Sequence, residues 1–252
     1  MSIFCKLFGR SDDPAAIRRK MEQARAQNDV ATVHRLLETL AKSGDAVAQR
    51  ELGDNYLAAT DYNNAREWLE KAAAQGDAEA QYRLGELYRS GKGVTKNNAA
   101  ACEWLEKAAT QGYTAAQTAL GHHYTSGDGV ALNYGTARQW FEKAAAQDDA
   151  DAQYQLGLLY AAGLGMAQNY ATARAWFEKA AAQNSAAAQN WLGSLHENAL
   201  GTTQDHSKAR EWYSKAATQG YAEAQSNLAV CYYNGLGGEQ DHGKAVEWFE
   251  KA

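Results

Sequence analysis

Gly76-Asp77-Ala78-Glu79-Ala80-Gln81-Tyr82-Arg83-Leu84-Gly85-Glu86-Leu87-Tyr88-Arg89-Ser90-Gly91-Lys92-Gly93-Val94, followed by Asn97 and the block Ala101 to Ala109, encodes two helices and the turn between them. Ala80, Leu84, Leu87 and Tyr88 fall at i, i+4, i+7 and i+8, one face of a 3.6-residue period. Ala101, Trp104, Leu105 and Ala108 repeat the pattern at i, i+3, i+4 and i+7. Gly91 and Gly93 are predicted to stop the first helix, because a left-handed closing residue is cheap only for glycine. Asn97 then supplies a side-chain acceptor to start the second. The segment reads as a helix–loop–helix hairpin.

Working outward, the hairpin recurs. Trp68, Trp104, Trp140, Trp176, Trp212 and Trp248 stand 36 residues apart without interruption. Units begin near Gly44, Gly76, Gly112, Asp148, Asn184 and Gly220, the first being four residues shorter than the rest. Asn133, Asn169, Asp205 and Asp241 occupy the cap position of Asn97, and Gln49, Gln81, Gln117, Gln153, Gln189 and Gln225 share another register. A polar residue repeated so regularly is expected to make a structural hydrogen bond. Self-similarity at this period is the mark of a solenoid. One hairpin cannot cover its own tryptophan and tyrosines, so the neighbour must, and burying each large apolar side chain is worth roughly 1.5–3 kcal/mol. The expected fold is all-α: a right-handed α/α superhelical solenoid of helix–loop–helix repeats. Residues 1–10 read as a tail, 11–43 as an N-terminal capping hairpin with Asp13 as N-cap and Pro14 in the first turn, and 44–252 as six repeats.

Gly-Asp-Ala-Glu-Ala-Gln-Tyr-Arg-Leu-Gly-Glu-Leu-Tyr, the Gly-Lys-Gly-Val loop and the Trp-Leu-Glu-Lys-Ala-Ala block together resemble the Sel-one-like repeat (SLR) family, tetratricopeptide relatives with a longer inter-helix loop. The resemblance covers residues 44 to 252. It implies an adaptor, scaffold or regulator acting through protein contacts, and leaves the partner open. Three departures stand out. The first unit has the shorter loop of an ordinary tetratricopeptide repeat. In the fifth, Ala199 replaces the loop's first glycine and His196 a tyrosine, marking the expected irregularity. Some relatives pair a cysteine within each repeat, whereas here Leu87 faces Cys102 and Val246 faces Cys231.

The chain has 252 residues, is 45% hydrophobic and carries a net charge of −5. Non-specific nucleic-acid binding rides on a basic surface, and this balance supplies none. No run approaches the ~20 apolar residues that span a bilayer. The opening Met-Ser-Ile-Phe-Cys-Lys-Leu-Phe-Gly lacks the pattern of a secretory signal, so a cytoplasmic protein without membrane insertion is expected. Cys5, Cys102 and Cys231 form neither a metal spacing nor a disulfide framework, which suits a reducing compartment.

Catalysis finds no support. His122 and His123 are adjacent, and neighbouring helical residues point about 100° apart, so they do not converge on one metal. There is no nucleophile elbow, phosphate-cradling loop, metalloprotease motif or Ser-x-x-Lys signature. The expectation is therefore a non-enzyme with no cofactor and no metal. Function is expected in a concave groove lined by the first helix of each repeat, on the side opposite its apolar stripe, where residues differ from copy to copy. Arg50, Tyr82, Glu86, Arg89, His122, Tyr154, Asn190, Glu197 and Tyr233 are the candidate partner-binding residues, with Tyr82, His122 and Tyr154 as the preferred cluster. Aromatic anchors among short polar groups suit a protein or peptide partner. The expected role is an interaction adaptor or scaffold; the alternative is an inhibitor or immunity-type protein occluding one toxin or enzyme.

Overall fold

The computed structural model describes residues 13–252. The predicted tail at 1–10, with Cys5, and the first two residues of the proposed 11–43 hairpin lie outside the described residues. Fourteen α-helices follow among those described, in seven antiparallel pairs: α1 Pro14–Ala26 and α2 Val30–Lys42; α3 Ala46–Ala58 and α4 Tyr62–Ala74; α5 Ala78–Ser90 and α6 Asn98–Thr110; α7 Thr114–Ser126 and α8 Tyr134–Ala145; α9 Ala150–Ala162 and α10 Tyr170–Ala182; α11 Ala186–Glu197 and α12 His206–Thr218; α13 Ala222–Asn234 and α14 His242–Lys251. The fold is all-α, a solenoid of helical hairpins. Its residues divide into two compact units, one ending at Ala116 and one beginning at Gln117.

Each helix starts and stops for a local reason. Asp61, Asn97, Asn133, Asn169, Asp205 and Asp241 cap the second helices, each side chain accepting from the amide three residues on. Asp13 caps α1 ahead of Pro14. Gly91 closes α5 in the left-handed conformation at φ 71°.

In the first unit α2 packs on α3 and α4 on α5; in the second, α8 packs on α9, α10 on α11 and α12 on α13. The registered glutamines stitch these steps. In the first unit the buried Gln49 amide donates to the Ala41 carbonyl at 3.0 Å and its oxygen accepts from Gln75 at 2.7 Å. Gln81 repeats this with Ala73 and Gln111. In the second unit Gln147, Gln183 and Gln219 donate to Gln117, Gln153 and Gln189. The expected structural role of the register is met.

The tryptophans do not hold the centre that their spacing suggests. Only Trp140 is buried, at 9% exposure, and the other five of the register are half-buried. Each indole carries the lysine three residues on over its ring, from Lys71 at 3.8 Å above Trp68 to Lys251 at 4.2 Å above Trp248. The residue after each tryptophan goes inside instead: Leu69, Leu105, Phe141, Phe177 and Tyr213 are all 0–1% exposed. A glycine on the partner helix makes that possible. A Cβ on Gly53 would meet Leu69 at 2.7 Å and one on Gly85 would meet Leu105 at 2.8 Å; Gly121, Gly157 and Gly193 face Phe141, Phe177 and Tyr213 in the same way. In the last hairpin Ala229 takes the glycine's place and Phe249 is 49% exposed.

The fifth-repeat loop keeps its shape despite the sequence departure. Ala199 adopts φ 56°, a left-handed conformation that costs an L-residue about 1–2 kcal/mol. Ala199→Gly should therefore raise stability by about 0.5–1 kcal/mol, read as an increase in Tm. His196 is the second departure. It is buried, and its Nδ1 has no hydrogen-bond partner. Burial, then the nearby Lys208 and Arg174 charges, push its imidazole below the ordinary value. The unfolded chain therefore takes up a proton that the folded chain refuses. Stability intact above the ordinary value of about 6.5 is lost as pH falls below it. His196→Tyr restores the residue of the other repeats and should flatten the fall in Tm between about pH 7.5 and 5.5. A parallel fall in both proteins would acquit His196.

Candidate partner-binding face

Apolar stripes turned inward leave the opposite side of each first helix for other uses. In the first unit this side is a lattice of ion pairs joining α3 to α5. Arg50 reaches Asp77 at 3.3 Å, Glu79 at 2.8 Å and Asp54 at 3.6 Å. Arg83 reaches Asp54 at 3.3 Å and Glu79 at 3.1 Å. Burial pushes the Asp54 carboxyl above its ordinary value despite the pull of Arg83. Tyr82 lies against Tyr113, ring centroids 5.2 Å apart, and burial raises both phenols. Glu86 and Arg89 pair with each other at 2.6 Å.

In the second unit the character changes. His122 on α7 meets Asp151 on α9 at 2.7 Å, and that hydrogen bond holds the Asp151 carboxyl below its ordinary value. His123 turns away: it is buried, with Nδ1 at 2.7 Å from the Asp128 carbonyl oxygen. Tyr154 is half-buried against Phe177, centroids 5.9 Å apart, and Phe177 stacks on Trp191 of α11 at 5.5 Å with only 12° between planes. Burial raises the Tyr154 phenol, with Glu223 and Asp151 adding to it and a hydrogen bond with Trp191 opposing. Asn190 is 7% exposed; its amide donates to Glu223 of α13 at 3.4 Å and its oxygen accepts from Asn227 at 3.0 Å. The Tyr221 hydroxyl donates to the same Glu223 carboxylate at 3.2 Å.

The sequence-derived residues thus fall into distinct circumstances. Arg50, Glu86 and Arg89 lie in ion pairs of the first unit, beside Tyr82. His122, Tyr154 and Asn190 lie on the joined faces of α7, α9, α11 and α13. Glu197 accepts from the hydroxyl of buried Tyr213 at 2.7 Å, and burial first, then that carboxylate, push the phenol far above its ordinary value. Tyr233 is 55% exposed and tilts against His242. Trp191, Tyr221 and Asn227 were missed by the sequence reading. Trp191 had a signal: it is the one tryptophan of seven outside the 36-residue register.

Among the described residues, no group of three or more His, Cys, Asp or Glu side chains is arranged to hold a metal. No described helix is long and apolar enough to cross a membrane. A cleft of about 470 Å³ at Arg210, Ser214, Leu228 and Tyr232 involves the second helix α12, where the Arg210 guanidinium covers the Tyr232 ring at 4.0 Å.

Comparison with known proteins places the hairpins. No curated protein matches the chain. A crystal structure of c5321, a protective antigen of uropathogenic Escherichia coli with an SLR fold, is 36% identical with a TM-score of 0.83; the match covers 86% of this chain and 48% of that one. This chain thus spans about half that protein's length. A Sel1 repeat protein from Oxalobacter formigenes is 34% identical with a TM-score of 0.76, over 80% and 83% of the two chains. The Sel1 repeat itself matches at residues 46–77, 78–113, 114–149, 150–185, 186–221 and 222–252. Six consecutive copies cover most of the sequence, and the chain belongs to the Sel1 repeat family.

Proposed function

We propose that the chain is a non-catalytic scaffold that holds a protein or peptide partner on the outward side of its first helices, in the cytoplasm. One observation carries the reading. Gln49, Gln81, Gln117, Gln153, Gln189 and Gln225 are identical, while the very next residues are Arg50, Tyr82, Thr118, Tyr154, Asn190 and Ser226. Copies within one molecule control for one another. A scaffold position fixed beside a position free to differ is what a recognition surface built on repeats requires.

The test uses affinity capture from the native cell with wild-type protein and two variants. One carries Tyr82→Ala with Arg89→Ala, the other His122→Ala with Tyr154→Ala. At least one variant should lose the captured partner by about tenfold while circular dichroism stays unchanged. Full capture by both would place binding elsewhere. A single tight partner whose activity is silenced would make the chain an inhibitor, and several micromolar ligands would make it an adaptor.

A further inference from the structure

Residues 117–252 contain nine lysines and arginines: Arg138, Lys143, Arg174, Lys179, Lys208, Arg210, Lys215, Lys244 and Lys251. Every one stands on a second helix, α8, α10, α12 or α14. The first helices of this unit carry no lysine or arginine, yet they hold Asp151, Glu197 and Glu223. The first unit is built otherwise, since Arg50, Arg83 and Arg89 all lie on first helices.

The repeat allows a position-by-position comparison. Arg50 of the second pair corresponds to Asn190 of the sixth, and Glu79 corresponds to Glu223. In the first unit the Arg50 guanidinium sits 2.8 Å from Glu79. In the second the Asn190 amide sits 3.4 Å from Glu223. The carboxylate is the same and its neighbour is neutral; its other donor, the Tyr221 hydroxyl, is neutral too. The second arginine of the first-unit lattice, Arg83, corresponds in the same alignment to Asn227, and its partner Asp54 to Ser194. That guanidinium and its partner charge are both gone, and Trp191, next to Asn190, lies flat on Phe177.

We infer that the α9–α11–α13 face of the second unit binds an arginine-containing basic segment of a partner protein, the incoming guanidinium stacking on Tyr154 and Trp191 and pairing with Glu223 and Asp151. Arginine suits this site because its plane stacks on aromatic rings while its donors engage carboxylates. Lysine fits the charge but not the stack. The negative field bearing on the Tyr154 phenol from Glu223 and Asp151 favours the same ligand sign. Nucleic acid, an anion, is repelled.

This rests on the partner-binding reading and names the chemistry of the partner. The test is fluorescence anisotropy with full-length protein and three short glycine–serine peptides carrying arginine, lysine or glutamine at the same positions. The arginine peptide should bind, weakening as salt rises. The lysine peptide should bind less tightly, and the glutamine peptide should not bind. Glu223→Gln should weaken the arginine peptide by about tenfold. Asn190→Arg, which restores the first unit's internal guanidinium, should abolish binding with circular dichroism unchanged. Equal affinity for the arginine and glutamine peptides, or undiminished binding by Asn190→Arg, overturns the inference. Capture of the native partner by Asn190→Arg at wild-type strength also overturns it, while leaving the scaffold reading standing.

Discussion

Phe177→Ala is expected to cost about 3–5 kcal/mol, among the largest effects of any single side-chain truncation in the second unit. Phe177 is 0% exposed and joins two hairpins. It fills the space left by Gly157 on its own partner helix and stacks on Trp191 of the next. Its cluster includes Leu192 and Leu195 of α11, so the lost ring uncouples neighbours as well as emptying a site. Urea denaturation followed by circular dichroism measures the loss. Gly157→Ala attacks the same contact from the other side, because a methyl there would lie inside the Phe177 ring's van der Waals surface. It should cost about 1–3 kcal/mol by overpacking. Phe177→Leu removes the ring Cε1 and Cζ atoms that a Gly157 Cβ would meet at 2.4 and 2.8 Å. The double variant should therefore lose less than the sum of its parts. Strict additivity would show that the ring and the glycine do not share one space.

How much of this was legible beforehand depended on whether a signal was local. Helix starts were read correctly at Asn97, Asn133, Asn169, Asp205 and Asp241, since an Asx cap needs only the backbone three residues away. The hairpin count was legible because the period is printed in the chain. The role of each tryptophan was not. Periodicity marks a residue as constrained without saying by what, and here the constraint is a half-buried indole under Lys71 or its equivalents, with the following residue in the centre. Candidate positions on the first helices were legible as variable. Their pairing was not, because Arg50 with Glu79 and Asn190 with Glu223 lie about 30 residues apart and meet only when hairpins stack. Trp191 was readable as an exception to the ruler, yet its platform exists only through Phe177.

The glutamine register yields the second large effect, and it separates hydrogen bonding from burial. Gln81 is 5% exposed and uses both ends of its amide, donating to the Ala73 carbonyl at 3.2 Å and accepting from Gln111 at 2.8 Å. Gln81→Leu preserves much of the volume but removes two hydrogen bonds that join α4, α5 and α6, while the Ala73 carbonyl keeps the Gly76 amide and the exposed Gln111 amide turns to water. Each hydrogen bond lost is worth about 0.5–1.5 kcal/mol net. Leucine's gain in apolar burial offsets part of this, so the variant should lose about 1–2 kcal/mol in urea denaturation. The same substitution at Gln153, 2% exposed and bonded to Gln183 at 3.0 Å, should give a similar loss. Because repeats interact chiefly with their neighbours, the two losses should add when combined. A neutral or stabilising result at both positions would mean that the six glutamines set hairpin register without contributing net stability.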